Sequence, residues 1–175
     1  MKQTAFLSIC LIGILSQPAL AVDGYKGVKF GASEDEFLSK RICSMTYEEE
    51  FAQDSRVYQC NDFKLGGIKT SAYAYFIDGK FLRLAIPLEW ESMVSVGQGL
   101  ANKYGLASSG SSKEELAAVD NNPNASAYIA FDNNTIFITM ESDADSNKAS
   151  WLIYSDPSFS KLRESKLRAS FSDDL

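Results

Sequence analysis

The sequence predicts an α+β domain: an antiparallel sheet of about six strands with helices packed on one face. Three observations predict it. Two strand pairs flank tight-turn dipeptides, Asp78-Gly79 and Asn133-Asn134. Two S-x-x-E capping boxes, at Ser33 and Ser112, each open a helix. Between the hairpins, Trp90, Met93, Val94, Gly97, Leu100, Ala101 and Tyr104 recur at three- and four-residue spacing, the period of an amphipathic helix.

Taken in order, the first helix follows the acidic turn Glu34-Asp35-Glu36, which suits the helix dipole, and buries Phe37, Leu38 and Ile42. Residues 56–62 read as a strand, Gly66-Gly67 as a turn, and 68–77 and 80–88 as a hairpin. The amphipathic helix stops at Gly105, residues 107–112 form a small-residue loop, and a short helix runs to about Val119. After the loop 120–124, residues 126–131 and 136–141 pair as a second hairpin. Residues 143–148 are a polar turn and 150–155 a strand. Asp156-Pro157 supplies a cap and a first-turn proline for a last helix over 158–168. The order is therefore α-βββ-α(α)-βββ-α.

Two-residue pairing across Asp78-Gly79 sets the faces. It opposes Phe76 to Phe81, Tyr75 to Leu82, Ala74 to Arg83 and Tyr73 to Leu84, and opposed residues share a face. One face then carries Tyr73, Tyr75, Leu82, Leu84 and Ile86; the other carries Ala72, Ala74, Phe76, Phe81, Arg83 and Ala85. In the second hairpin, Ile129, Phe131, Ile136, Ile138 and Met140 share a side, opposite Tyr128, Ala130, Phe137, Thr139 and Glu141. The aliphatic side is expected under the helices. The side of alanines, rings and an arginine has the composition of a protein-binding surface. Either a partner takes it, or the C-terminal segment, the 107–124 region or a second copy covers it.

The ends and the composition bound the location. Lys2, an apolar run from Ala5 to Leu15, Pro18 and Ala19-Leu20-Ala21 form a secretory leader cut after Ala21. The run is too short to span a bilayer. Leu7-Ser8-Ile9-Cys10 has the outline of a lipoprotein box, but bulky Ile9 precedes the cysteine and the apolar run continues past it. The chain beyond the leader is one domain by size, periplasmic or secreted, with no further apolar span. A net charge of −6 argues against nucleic acid and anionic lipid as partners. Beyond the leader only Cys43 and Cys60 remain, an even pair whose spacing fits a structural disulfide rather than a redox C-x-x-C.

Lys26-Gly27-Val28-Lys29-Phe30-Gly31, the capped helix, Cys43 and Cys60, AYFIDGKFLRLAIP and a helix ending Lys103-Tyr104-Gly105 resemble a group of small exported bacterial proteins of unassigned function. Their helix-plus-three-strand unit is similar to the outer-membrane-assembly lipoprotein family (SmpA/OmlA) and to the β-lactamase-inhibitor protein. The likeness covers roughly residues 25–105. It implies an antiparallel sheet with helices on one side and a protein-binding role for the open face. The chain departs from the assembly lipoproteins in its leader, which lacks their lipobox.

Catalytic patterns are sparse. The chain has no histidine, which removes the commonest general base and the usual zinc sites and triads. No glycine-rich phosphate cradle precedes a helix. Asp143-Ala144-Asp145-Ser146-Asn147 starts like a calcium loop, but Lys148 stands where the loop needs glycine and Tyr154 where it needs a bidentate glutamate. Ser158-Phe159-Ser160-Lys161 matches S-x-x-K without the accompanying S-D-N and K-T-G motifs. Glu89 and Glu91, flanking Trp90, suit a helix start better than a glycosidase pair. Lys161, Arg163, Lys166 and Arg168 give the last helix a basic, solvated face.

The expected function is a non-enzymatic binding module of inhibitor, immunity or envelope-assembly type. Its site would be Phe76, Phe81, Arg83, Tyr128, Phe137 and Thr139, its partner a protein of the cell envelope. No catalytic residue, metal or cofactor is expected. The alternatives are a small periplasmic hydrolase and a domain that forms a homodimer through the sheet face.

Overall fold

The computed structural model describes residues 21–48 and 55–173. The expected leader lies outside the described residues, except for Ala21. Two strands too short to be read in the sequence, β1 (Gly24–Tyr25) and β2 (Val28–Lys29), pair with each other. Helix α1 (Glu34–Ser39) starts where Ser33 Oγ accepts from the Glu36 N–H. Then come β3 (Thr46–Glu48), β4 (Arg56–Leu65), β5 (Ile68–Ile77) and β6 (Lys80–Leu88). A 3-10 turn over Trp90–Ser92 leads into α2 (Met93–Tyr104), which ends at Gly105 with φ 88°. Next are β7 (Ser109–Gly110) and α3 (Lys113–Asn121), whose capping box is complete in both directions. The chain closes with β8 (Ser126–Phe131), β9 (Ile136–Ser142), β10 (Lys148–Ser155) and α4 (Phe159–Asp173).

The main sheet is antiparallel throughout and has eight strands, in the order β3-β4-β5-β6-β10-β9-β8-β7. The six long strands are those expected. The two added ones, β3 and β7, are the borders, and segments of two or three residues carry no alternation to read. Each three-stranded meander meets the other through its last strand, β6 against β10.

The first hairpin departs from its expected register. Asp78 and Gly79 adopt φ 52° and 71°, and Phe76 faces Phe81 as a two-residue turn requires. Beyond that pair the register shifts. Tyr75 faces Arg83, Ala74 faces Leu84 and Tyr73 faces Ala85, leaving Leu82 as the extra residue of a bulge. Phe81 and Leu84 are three apart, so a regular strand would point them to opposite sides. The bulge lets both enter one core. Its backbone is satisfied elsewhere: Gly31 N–H donates to Phe81 O, Phe81 N–H to Ala32 O, and Asp156 N–H to Leu82 O, each at 2.8 Å.

This shift corrects the expected faces. Phe76 and Phe81 are 1% and 0% exposed and lie in the main core, not on an open face. Phe37 of α1 stacks on them, with ring centroids 5.4 and 4.5 Å away. Leu84, Ile86, Ile138 and Leu152 share that core with Leu100 of α2 and Val119 of α3. Tyr73 and Tyr75, expected in the core, stand on the opposite face instead. There a second small cluster unites Ile77 and Leu82 with Phe159 of α4, and Tyr75 packs against it. Helix α4 therefore begins on the face away from the main core.

Two ties hold the N-terminal part. Cys43 and Cys60 form a disulfide that fastens the segment after α1 to β4. Tyr25 packs between Phe63, at 5.8 Å, and Tyr154, at 4.7 Å. Burial pushes the Tyr25 phenol up to about 12, with Tyr104 adding to the shift. Burial raises Tyr154 as well, helped by Tyr104 and Tyr25.

This packing has three measurable outcomes. Replacing Cys43 and Cys60 by alanine lowers stability by about 3 kcal/mol, read from urea midpoints with and without reductant. Phe81→Ala costs about 3–5 kcal/mol, and half-buried Phe137→Ala less than about half of that; the regular register, which puts both rings on the open face, would make the two costs alike. In the folded chain Tyr25 and Tyr154 keep phenolic protons that the unfolded chain releases near pH 10, so stability falls as pH rises from about 10 through 12. A urea midpoint unchanged between about pH 9 and pH 11 would contradict the buried tyrosines.

Candidate functional site

The site is the second sheet face. Its residues are placed by the alternation of five central strands once the bulge is counted. One cross-strand row reads Tyr73, Ala85, Ile153, Phe137 and Ala130. The next reads Pro87, Trp151, Thr139 and Tyr128. Rings meet between the two rows, Tyr73 with Trp151 at 5.7 Å and Tyr128 with Phe137 at 6.4 Å. Tyr128 is 39% exposed, while Tyr73, Trp151, Ile153, Phe137 and Thr139 are half-buried.

Four of the six expected residues, Arg83, Tyr128, Phe137 and Thr139, share this face. Phe76 and Phe81 do not. Tyr73, Trp151 and Ile153 belong to it and were missed. The available signal was the three-residue spacing of Phe81 and Leu84, which demands a bulge if both are buried. For β10, the run Trp151 to Tyr154 is apolar on both sides, so only its pairing partners assign a face.

Arg83 is the charged centre. Its guanidinium lies 3.8 Å over the Phe159 ring, and Nε donates to Ser155 Oγ at 3.1 Å. Burial pulls its pKa down to about 10; the Tyr75 phenol opposes the shift and the Arg163 cation adds to it. Arg83 lines three clefts. One, of about 430 Å³, reaches Tyr128, Phe137 and Asn134. Another, of about 310 Å³, follows α4 past Arg163 and Glu164. The third, of about 230 Å³, runs beside Tyr75, Trp151 and Ile153. Such a surface can stack rings, bury apolar side chains and hold an anion on a planar donor.

The other candidate chemistries are placed apart from it. A further cleft, of about 560 Å³, lies between the β4–β5 turn and the start of α2. Its walls are aliphatic, from Leu65, Ile68, Pro87 and Val96, and it does bring Glu89 and Glu91 together. The Asp143 carboxylate accepts from Asn147 Nδ2, Asn147 N–H and Asp145 N–H at 2.8–2.9 Å, which holds its pKa down and closes the turn on itself. Ser158 donates its hydroxyl to the Asp156 carboxylate at the start of α4, and Lys161 is exposed. Among the described residues, Cys43, Cys60 and Asp62 are the one metal-type donor cluster. The two sulfurs are bonded to each other, so they are not thiolate ligands.

A family model described as "Uncharacterised protein" matches residues 25–174. A Haemophilus influenzae protein, also described as "Uncharacterized protein", is 36% identical over 177 residues, spanning 100% of each chain. No solved structure matches. These likenesses carry no link to the outer-membrane-assembly lipoproteins or to the β-lactamase-inhibitor protein. The match over residues 25–174 shows that the chain belongs to the family which that model describes.

Proposed function

We propose that this chain is an exported, non-enzymatic protein-binding module that grips its partner with the second sheet face. The observation that carries the reading is the pair of cross-strand rows, Tyr73–Ala85–Ile153–Phe137 and Trp151–Thr139–Tyr128. Aromatic rings at half exposure with an adjoining arginine and no lysine have the make-up of an interface centre. Export is supported by the leader pattern and by a disulfide, which persists in oxidising compartments. No helix among the described residues is long and apolar enough to cross a membrane. An inhibitor, an immunity factor and an envelope-assembly accessory all fit this chemistry.

A second reading, a small periplasmic hydrolase, draws on the meeting of Glu89 and Glu91 in the aliphatic cleft. Both are exposed, at the 3-10 turn that leads into α2. Hydrolysis of aryl esters or glycosides that disappears in Glu89→Gln plus Glu91→Gln would favour it.

The test of the binding reading is photo-crosslinking in living cells. A photoreactive residue replaces Tyr128, Phe137 or Thr139, with Glu114 on α3 as the control. The expected result is one common adduct from the three face positions and none from the control. An adduct of twice the chain's own mass would select the homodimer instead. Absence of adducts at all three positions would remove this face as the site.

A further inference from the structure

Arg83 is a half-buried cation without a carboxylate partner among the described residues. Among the described residues it makes one hydrogen bond, to Ser155, and one ring contact, to Phe159, and joins no ion pair. The ionisable groups acting on it are Tyr75 and a second cation, Arg163. The guanidinium nitrogens other than Nε are not buried, so they are open to an incoming anion. Its Nε is used by Ser155, and it borders the cleft of about 230 Å³ whose other walls are Tyr75, Trp151, Ile153 and Phe159. Glu141 also lines that cleft, but it sits at the far end. Arg83 pairs with Ser155, whereas Glu141 pairs with Ala149, six residues along β10, a span of about 20 Å.

We infer that this cleft receives the carboxyl terminus of the partner, with Arg83 binding the carboxylate and the ring-lined wall taking the last, apolar side chain. The cleft has the volume of about one amino-acid side chain. Its cationic and apolar parts are adjacent, which suits an acid and an apolar side chain carried by the same residue. A chain terminus satisfies that; an aspartate in mid-peptide has no separate apolar group to offer. Glu141 at the opposite end repels an acid docked the wrong way round. The inference rests on the sheet face being a protein-binding surface, and it names the feature of the partner that the face reads.

The experiment titrates the nitrogen-15-labelled chain with three probes: N-acetylphenylalanine, its amide, and N-acetylaspartate amide. The signals followed are the Arg83 Nε–H and the Trp151 indole N–H. The free acid is expected to shift both and to bind about tenfold more tightly than either other probe. In Arg83→Gln the preference for acid over amide is lost. Equal binding of acid and amide, shifts confined to other residues, or an undiminished preference in Arg83→Gln would overturn the inference. If Arg83→Gln does not fold, the comparison of acid and amide on the unaltered chain decides alone. Loss of the acid preference with crosslinks retained at Tyr128 and Thr139 would remove the carboxylate anchor and spare the binding face. Acid preference without any crosslink would do the reverse.

Discussion

Phe81 and Leu84 stand three residues apart and both face the main core, so β6 must carry one residue more than the strand beside it. The rest of the architecture depends on that extra residue. Leu82 turns outward and nucleates a second cluster with Ile77 and Phe159. Its carbonyl accepts from Asp156, the residue that starts the turn into α4. One irregularity thus sets the register of the central hairpin and brings the last helix to the second face. The same point is held from the other side by Gly31 and Ala32, which ties the segment before α1 to the edge of the bulge. A bulge carrying this many partners is a structural joint, not a flaw in the ladder.

Much of the fold was legible because it is written in local chemistry. Asp78-Gly79 takes the two positive φ angles that a primed turn needs. Ser33 and Ser112 cap their helices as the S-x-x-E spacing requires. In the second hairpin Phe131 opposes Ile136 and Ile129 opposes Ile138, as alternation alone indicates. Cys43 and Cys60 are joined, as their even count beyond the expected leader predicts. What escaped was tertiary. Where both faces are apolar, the spacing of Phe81 and Leu84 reveals a bulge only once both are known to be buried, and a one-residue slip exchanges the sides of a whole strand. That slip moved Phe76 and Phe81 into the core and brought Tyr73 and Tyr75 out. Arg83, Tyr128, Phe137 and Thr139 fell on one face because the second hairpin is regular, and because Arg83 lies beyond the bulge and meets Ser155 across β10. Nothing in the run Trp151 to Tyr154 distinguishes its two sides until β6 and β9 are set beside it.

The charge distribution gives the second face a local character opposite to that of the molecule. The chain is acidic, at −6. On α4, Lys166 pairs with Asp78 and Arg168 with Glu164, both at exposed positions where water screens the interaction. Arg83 differs in being held by a ring and a serine rather than by an acid. A guanidinium stacked on an aromatic ring keeps its plane fixed, so its free edge points in a set direction.

The borders of the sheet carry a consequence of their own. An unbroken outer strand is a template onto which another polypeptide can zip by main-chain hydrogen bonds, and from there polymerise. Among the described residues the outermost strands, β3 and β7, are three and two residues long. Beside β7, Ser108 and Ser111 extend the cover by donating to Ala130 and Tyr128. On the other margin β4 breaks register between Cys60 and Phe63, which interrupts the rim beyond β3. Strand addition at the perimeter is therefore disfavoured, and recognition is left to side chains on the flat of the sheet, where shape and chemical identity discriminate between guests as an open backbone ladder does not.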